Sequence, residues 1–141
     1  MIQTIAVGTD GTETAGAAVD AAVEIAERFG AKVVLLSAFQ NGEAKYPVEG
    51  ASIELQWATN PAALVREILK RTEDDVRRRG LDCATLVDEG QPADVIVRLA
   101  EECDADMLVV GNKGMQRRVL GSVPNTVAHK APCSVYVVKT T

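Results

Sequence analysis

A chain of 141 residues is long enough for one hydrophobic core and short for two, so a single domain over residues 1–141 is expected. Its composition, 47% hydrophobic and 25% charged with a mean hydropathy of +0.03, is that of an ordinary folded domain and excludes disordered or collagen-like chains. With 15 Lys and Arg against 20 Asp and Glu, the net charge of −5 repels a nucleic-acid polyanion at long range and leaves room only for a local anion site.

Thr4 to Val7 is a short apolar strand that ends in the turn signal Gly8-Thr9-Asp10-Gly11. Thr12 is placed to cap a helix on which Ala15, Val19, Ala22, Ile25, Ala26 and Phe29 recur at helical spacing, with Glu13, Asp20, Glu24 and Glu27 on the wet face and Gly30 as the stop. Lys32 to Phe39 is a continuous β-branched and aliphatic run, the character of a strand covered on both faces. The stretch from Gln40 to Asn60 is too long for an ordinary connection. It leaves the carboxyl end of a strand, where open α/β sheets bind ligands, and reads either as a surface insertion or as a lid carrying Tyr46 and Trp57.

Pro61 opens a second helix with Leu64, Ile68, Leu69, Thr72 and Val76 on one face and Gly80 at its end, and Leu81 to Val87 follows as a strand. Pro92 falls in the first turn of a helix that turns Val95, Ile96, Leu99, Ala100 and Cys103 inward; Ala105 to Val110 is the next strand. Gly111 to Leu120 is a polar, glycine-bearing loop, Ser122 to Lys130 a short helix with Pro124 in its first turn, and Ser134 to Val138 the last strand. This alternation predicts an α/β fold, a doubly wound five-stranded parallel sheet with right-handed crossovers and helices on both faces.

No window approaches the roughly 18 consecutive apolar residues a membrane helix needs. The start, MIQTIAVGTDG, has neither a basic leader nor an apolar signal-peptide core, so no membrane contact and a cytoplasmic location are expected. Cys83, Cys103 and Cys133 are odd in number and spaced too widely for CxxC ligation, which predicts buried, inert thiols and no metal site. His129, the single histidine, lies near a helix C-terminus and is expected to face the dipole at the surface rather than act in catalysis. One histidine excludes an HxGH nucleotidyltransferase, no SGGxDS loop marks an adenylating pyrophosphatase, and Asp10-Gly11 is not the acidic pair of a receiver-type phosphoacceptor. No base accompanies Ser122, which reads as a helix cap and phosphate donor rather than a nucleophile.

The candidate chemistry concentrates where the first and fourth strands become central neighbours whose helices leave to opposite faces, opening a crevice at their carboxyl ends. After the first strand comes Gly8-Thr9-Asp10-Gly11-Thr12-Glu13; after the fourth come Gly111-Asn112-Lys113-Gly114 and then Gly121-Ser122 before a helix. Glycines let backbone N–H groups approach a ligand, and a helix N-terminus offers free donors and a partial positive charge, which together suit a phosphate. Lys113, Arg117 and Arg118 flank the glycines and supply cations against a polyphosphate in an otherwise acidic chain.

These segments resemble the universal stress protein family over nearly the whole chain. VGTDGTETA is similar to the family's V-G-x-D-G-S-x-x-S, and GNKG with LGSVPNTVAHKAPCSVYVV to its signature tail. The resemblance implies one universal stress protein domain over residues 1–141, strand order 3-2-1-4-5, an adenine-nucleotide site in the crevice, and homodimers, here through the Ser134–Val138 edge strand. Carried over by position, Asp10 lies beside the nucleoside end with Gly8 and Thr9 on that wall, and Ala38 gives a backbone contact to adenine. Gly111 and Gly114 border ribose and phosphates, while Gly121, Ser122 and Val123 donate to phosphate. Nucleotide-binding members space these glycines as Gly, two residues, Gly, nine residues, then Gly-Ser or Gly-Thr. Here only six residues, Met115 to Leu120, separate Gly114 from Gly121-Ser122, which predicts a tighter seat beyond the first phosphates. The expected function is therefore a stress-response regulator that binds ATP (with Mg2+), AMP or cyclic AMP. The alternatives are a dimerising interaction module without nucleotide and a slow ATPase.

Overall fold

The five apolar runs hydrogen-bond side by side into one parallel sheet, in which β1 (Thr4–Gly8), β2 (Lys32–Phe39), β3 (Cys83–Glu89), β4 (Met107–Asn112) and β5 (Ser134–Lys139) stand in the order β3-β2-β1-β4-β5. The structure is a computed structural model that describes residues 1–9, 13–40, 61–112 and 120–139. Between the strands run α1 (Glu13–Phe29), α2 (Pro61–Arg78), α3 (Pro92–Glu102) and α4 (Ser122–Lys130). Among the described residues no helix is long and apolar enough to cross a membrane.

The two-residue period of a strand sorts the core into two layers. Ile5, Val7, Val33, Leu35 and Val109 face one side, where Ala18, Val19, Ala22, Val23 and Ala26 of α1 and Leu69 and Val76 of α2 cover them. Ala6, Val34, Leu36, Leu108 and Val110 face the other, against Val95, Ile96, Leu99 and Ala100 of α3 and Val127 of α4. Each fully buried Leu or Ile here, such as Ile5, Leu35 or Leu108, contributes about 1.5–3 kcal/mol relative to exposure. Helix α1 stops where expected: Gly30 adopts φ +65, and the Ala31 N–H donates to the Ala26 carbonyl at 3.0 Å, a closure that a Cβ at position 30 would strain.

Several expected boundaries move. The third strand spans Cys83–Glu89 rather than Leu81 to Val87, because at the sheet edge the polar Asp88 and Glu89 can pair with Ala38 and Phe39 while keeping their side chains wet. The fourth runs Met107–Asn112 rather than Ala105 to Val110: Gly111 and Asn112, expected in a loop, extend the ladder opposite Val138 and Lys139. Phe29, expected inward, is exposed at the last residue of α1, and Ala18 and Val23 fill the face instead. Cys103 forms the C-cap of α3 and is half-buried, as is Cys133; Cys83 alone is buried, and its thiol is pushed up to about 12 by that burial. Thr12, Tyr46 and Trp57 lie outside the described residues.

The central pair of strands is aligned by a side chain. Asp106, just before β4, accepts the Gln3 and Thr4 amides through one carboxylate oxygen at 2.8 and 3.0 Å, while its own N–H donates to the Thr4 carbonyl at 2.9 Å. The bond from Gln3, then that from Thr4, holds the Asp106 carboxyl below its usual range. A carboxyl depressed on folding adds stability that is present above its unfolded value and lost as the pH falls through the folded one. Asp106→Ala should therefore lower the melting temperature at about pH 7, with the gap from the parent narrowing as the pH falls below the ordinary carboxyl value of 3.8. A gap of constant size across that range in thermal melts would mean that the charge plays no part.

Candidate functional site

Strands β1 and β4 are neighbours, yet α1, which follows β1, and α4, which follows β4, cover opposite faces of the sheet. No helix can close over their carboxyl ends, and a cleft of about 340 Å³ opens there. That volume is at the small end of the range for small-molecule sites. Because β2 and β4 flank β1 on opposite sides, the cleft runs across the end of β1, from Ser37 and Ala38 on one side to Gly111, Asn112 and the start of α4 on the other. Ala38, Pro92, Ile96 and Val110 give it apolar wall, and Gly121, Ser122 and Val123 bring the start of α4 to its edge.

Seven of the expected site residues, Gly8, Thr9, Ala38, Gly111, Gly121, Ser122 and Val123, line this one cleft. Asp10, Lys113, Gly114 and Arg117, with Arg118, lie outside the described residues. The residues not anticipated are instructive. Ile96 reads as a core position from its spacing, and it does pack on the sheet, but it also forms part of the cleft wall. Asn112 was expected in a loop and is fully buried at the end of β4; a polar residue closing an apolar run was the available signal.

The start of α4 differs from the expected serine cap. Gly121 is the N-cap, with φ −64 and ψ 167, no side chain caps the helix, and Ser122 is its exposed first residue. The reason is steric and electrostatic together. Asn112 Oδ1 accepts the Gly121 N–H at 2.8 Å, and a Cβ at position 121 would lie 3.0 Å from that same oxygen, so a side chain there would push the Asn112 amide back by a few tenths of an ångström. Four N–H positions at a helix start lie outside its own ladder. In α4, whose ladder begins with the Asn125 N–H donating to the Gly121 carbonyl at 3.0 Å, these belong to Gly121, Ser122, Val123 and Pro124. Asn112 takes the first and proline has none, which leaves the Ser122 and Val123 amides, with the Ser122 hydroxyl beside them. Their dipole end favours an anion.

The described part of the cleft lining contains no carboxylate, and among the described residues no group of three or more His, Cys, Asp or Glu side chains could hold a metal ion. A second hollow of about 240 Å³ lies between α1 and α2, where Arg79 is already paired with Asp20 at 3.6 Å and Glu27 at 3.4 Å. His129 is exposed in the last turn of α4, away from both hollows.

Comparison with known proteins agrees with this fold along nearly the whole chain. The universal stress protein Rv1636 of Mycobacterium tuberculosis is 35% identical, the alignment covering 99% of this chain and 97% of that protein. A crystal structure described as a universal stress protein in complex with cAMP shares 34% identity at a TM-score of 0.75, covering 99% of this chain and 98% of that one. The universal stress protein from Archaeoglobus fulgidus in complex with dAMP shares 26% identity at a TM-score of 0.69, covering 99% and 100% of the two chains. The model of the universal stress protein family matches residues 1–139, and the chain belongs to that family.

Proposed function

We propose that this protein binds an adenine nucleotide in the cleft at the carboxyl ends of β1 and β4 and acts as a stress-response regulator through occupancy of that site rather than through turnover. The observation that carries the reading is the pairing of apolar wall with a donor-bearing helix start in one cleft of mononucleotide scale. Its support from relatives is the cAMP and dAMP complexes of similar chains. Adenine and ribose lie along Gly8, Thr9 and Ala38, and phosphate is received by Gly111, Ser122 and Val123, with Gly121 shaping the seat. Asp10 and Gly114 join the site by their place in the family motif, and Lys113 and Arg117 by the positive charge they bring beside its glycines. Two amides and one hydroxyl suit a single phosphate better than a chain of three, and the six-residue spacing before Gly121 adds to that bias, so AMP or cyclic AMP is preferred to ATP with Mg2+. A nucleotide that favours one arrangement of the crevice segments shifts the population toward it, and that shift is the signal.

Assembly is the second part of the proposal. Strand β5 is an edge of the sheet, hydrogen-bonded to β4, and Tyr136 at its middle is 46% exposed. An exposed apolar edge invites pairing. A two-fold homodimer joining the Ser134–Val138 edges antiparallel buries it and places Tyr136 against its own copy.

Since Ser122 does not cap α4, Ser122→Ala should leave the melting temperature unchanged while removing a charge-assisted hydrogen bond of about 1.5–3 kcal/mol, roughly 10- to 150-fold in AMP affinity. Calorimetric titration decides it, and parental affinity in the variant rejects the phosphate seat. For assembly, Tyr136→Lys sets like charges opposite one another across the two-fold and should convert dimer to monomer in sedimentation. An unchanged dimer rejects this interface.

A further inference from the structure

Asn112 is the polar terminus of a buried strand, and its side chain binds the amide of Gly121, the N-cap of α4. It is fully buried, its Oδ1 holds the Gly121 N–H at 2.8 Å, and both residues line the cleft. Burial of an amide side chain is tolerated where its hydrogen bonds are made, and a bond formed in a water-poor setting fixes its partners closely. The consequence falls on the next two residues. With Gly121 pinned to the end of β4 and Pro124 contributing no N–H, the consecutive amides of Ser122 and Val123 are the donors left at the mouth of the helix.

We infer that Asn112 is the positioning residue of the phosphate seat: by holding the Gly121 amide it orients the Ser122 and Val123 amides toward the ligand and restricts the seat to one phosphate group. The inference rests on the adenine-nucleotide reading given above and assigns to Asn112 no contact with the ligand. It acts through the backbone, so it should affect the phosphate and leave the nucleoside end, on the far side of β1, untouched. Loss of the Asn112 oxygen leaves the part-buried Gly121 N–H without the partner that holds it to β4, and the helix start is freed from that strand end.

Two variants separate positioning from simple support of the fold. Asn112→Ala should weaken AMP and cyclic AMP alike by about 10-fold while leaving adenosine affinity at the parental value, so that the ratio of AMP to adenosine affinity falls. Asn112→Asp keeps an acceptor for Gly121 but adds a negative charge behind the seat. It should leave adenosine unchanged and weaken dianionic AMP more than monoanionic cyclic AMP. The aspartate variant carries the test if the alanine variant does not fold. Equal losses for AMP and adenosine, or no loss for either, overturn the inference. In the parent, inorganic phosphate followed by amide NMR should shift the Ser122 and Val123 resonances and leave Gly121 in place. If the parent binds neither AMP nor adenosine yet shows that phosphate pattern, the adenine reading fails and the seat stands; if Gly121 moves with them, or none of the three responds, the role of Asn112 is overturned.

Discussion

Burying both faces of β1 is the constraint from which the ligand end of the molecule follows. Ile5 and Val7 need one helical layer and Ala6 another, and right-handed crossovers can supply both only if the chain winds outward through β2 and β3 and then returns to the far side of β1 as β4. The return reverses the face on which helices are laid. It places α1 and α4 on opposite sides of adjacent strands, and the space above the carboxyl ends of those strands is left without a cover. The cleft is thus a by-product of solving the core, and its polar lining is whatever the strand ends and helix starts bring to it.

What they bring is scarce and ordered. A net charge of −5 disfavours an anion at long range, so in the proposed site the attraction for phosphate comes from local groups, the cations Lys113 and Arg117 and the dipole end of α4. The hydrogen bond that the Gly121 N–H donates to Asn112 ties the start of α4 to the end of β4. At the opposite end of the same strand pair, Asp106 performs the matching task for β1 and β4 by taking the Gln3 and Thr4 amides. One side chain ties the two central strands at their starts, and the other ties the start of α4 to their far ends.

The layout of the fold was legible because its signals are redundant. Lys32 to Phe39 reads as a strand buried on both faces and is one; Gly30 and Gly80 stop α1 and α2 with positive φ as their positions require. Boundaries failed where packing and pairing disagree: Asp88, Glu89, Gly111 and Asn112 are polar or small by composition, yet each continues a ladder because a neighbouring strand offers partners. At the site, the family motif located Gly8, Thr9, Ala38, Gly111 and Gly121 to Val123 in one cleft. It could not reveal Asn112, whose importance lies in a contact nine residues along the chain, nor that glycine rather than serine caps α4. Local preference favours serine at a cap; the approach of a buried side chain overrides it.

The central claim is that the cleft is a nucleotide seat, and the ligand that the protein retains is its most direct witness. Protein purified gently without added nucleotide, then denatured and analysed by mass spectrometry for released small molecules, should yield AMP or cyclic AMP in a fixed proportion to the chain, and Ser122→Ala protein prepared in parallel should retain less. Release of no adenine nucleotide, together with no heat of binding when AMP and cyclic AMP are titrated into the same preparation, would contradict the account.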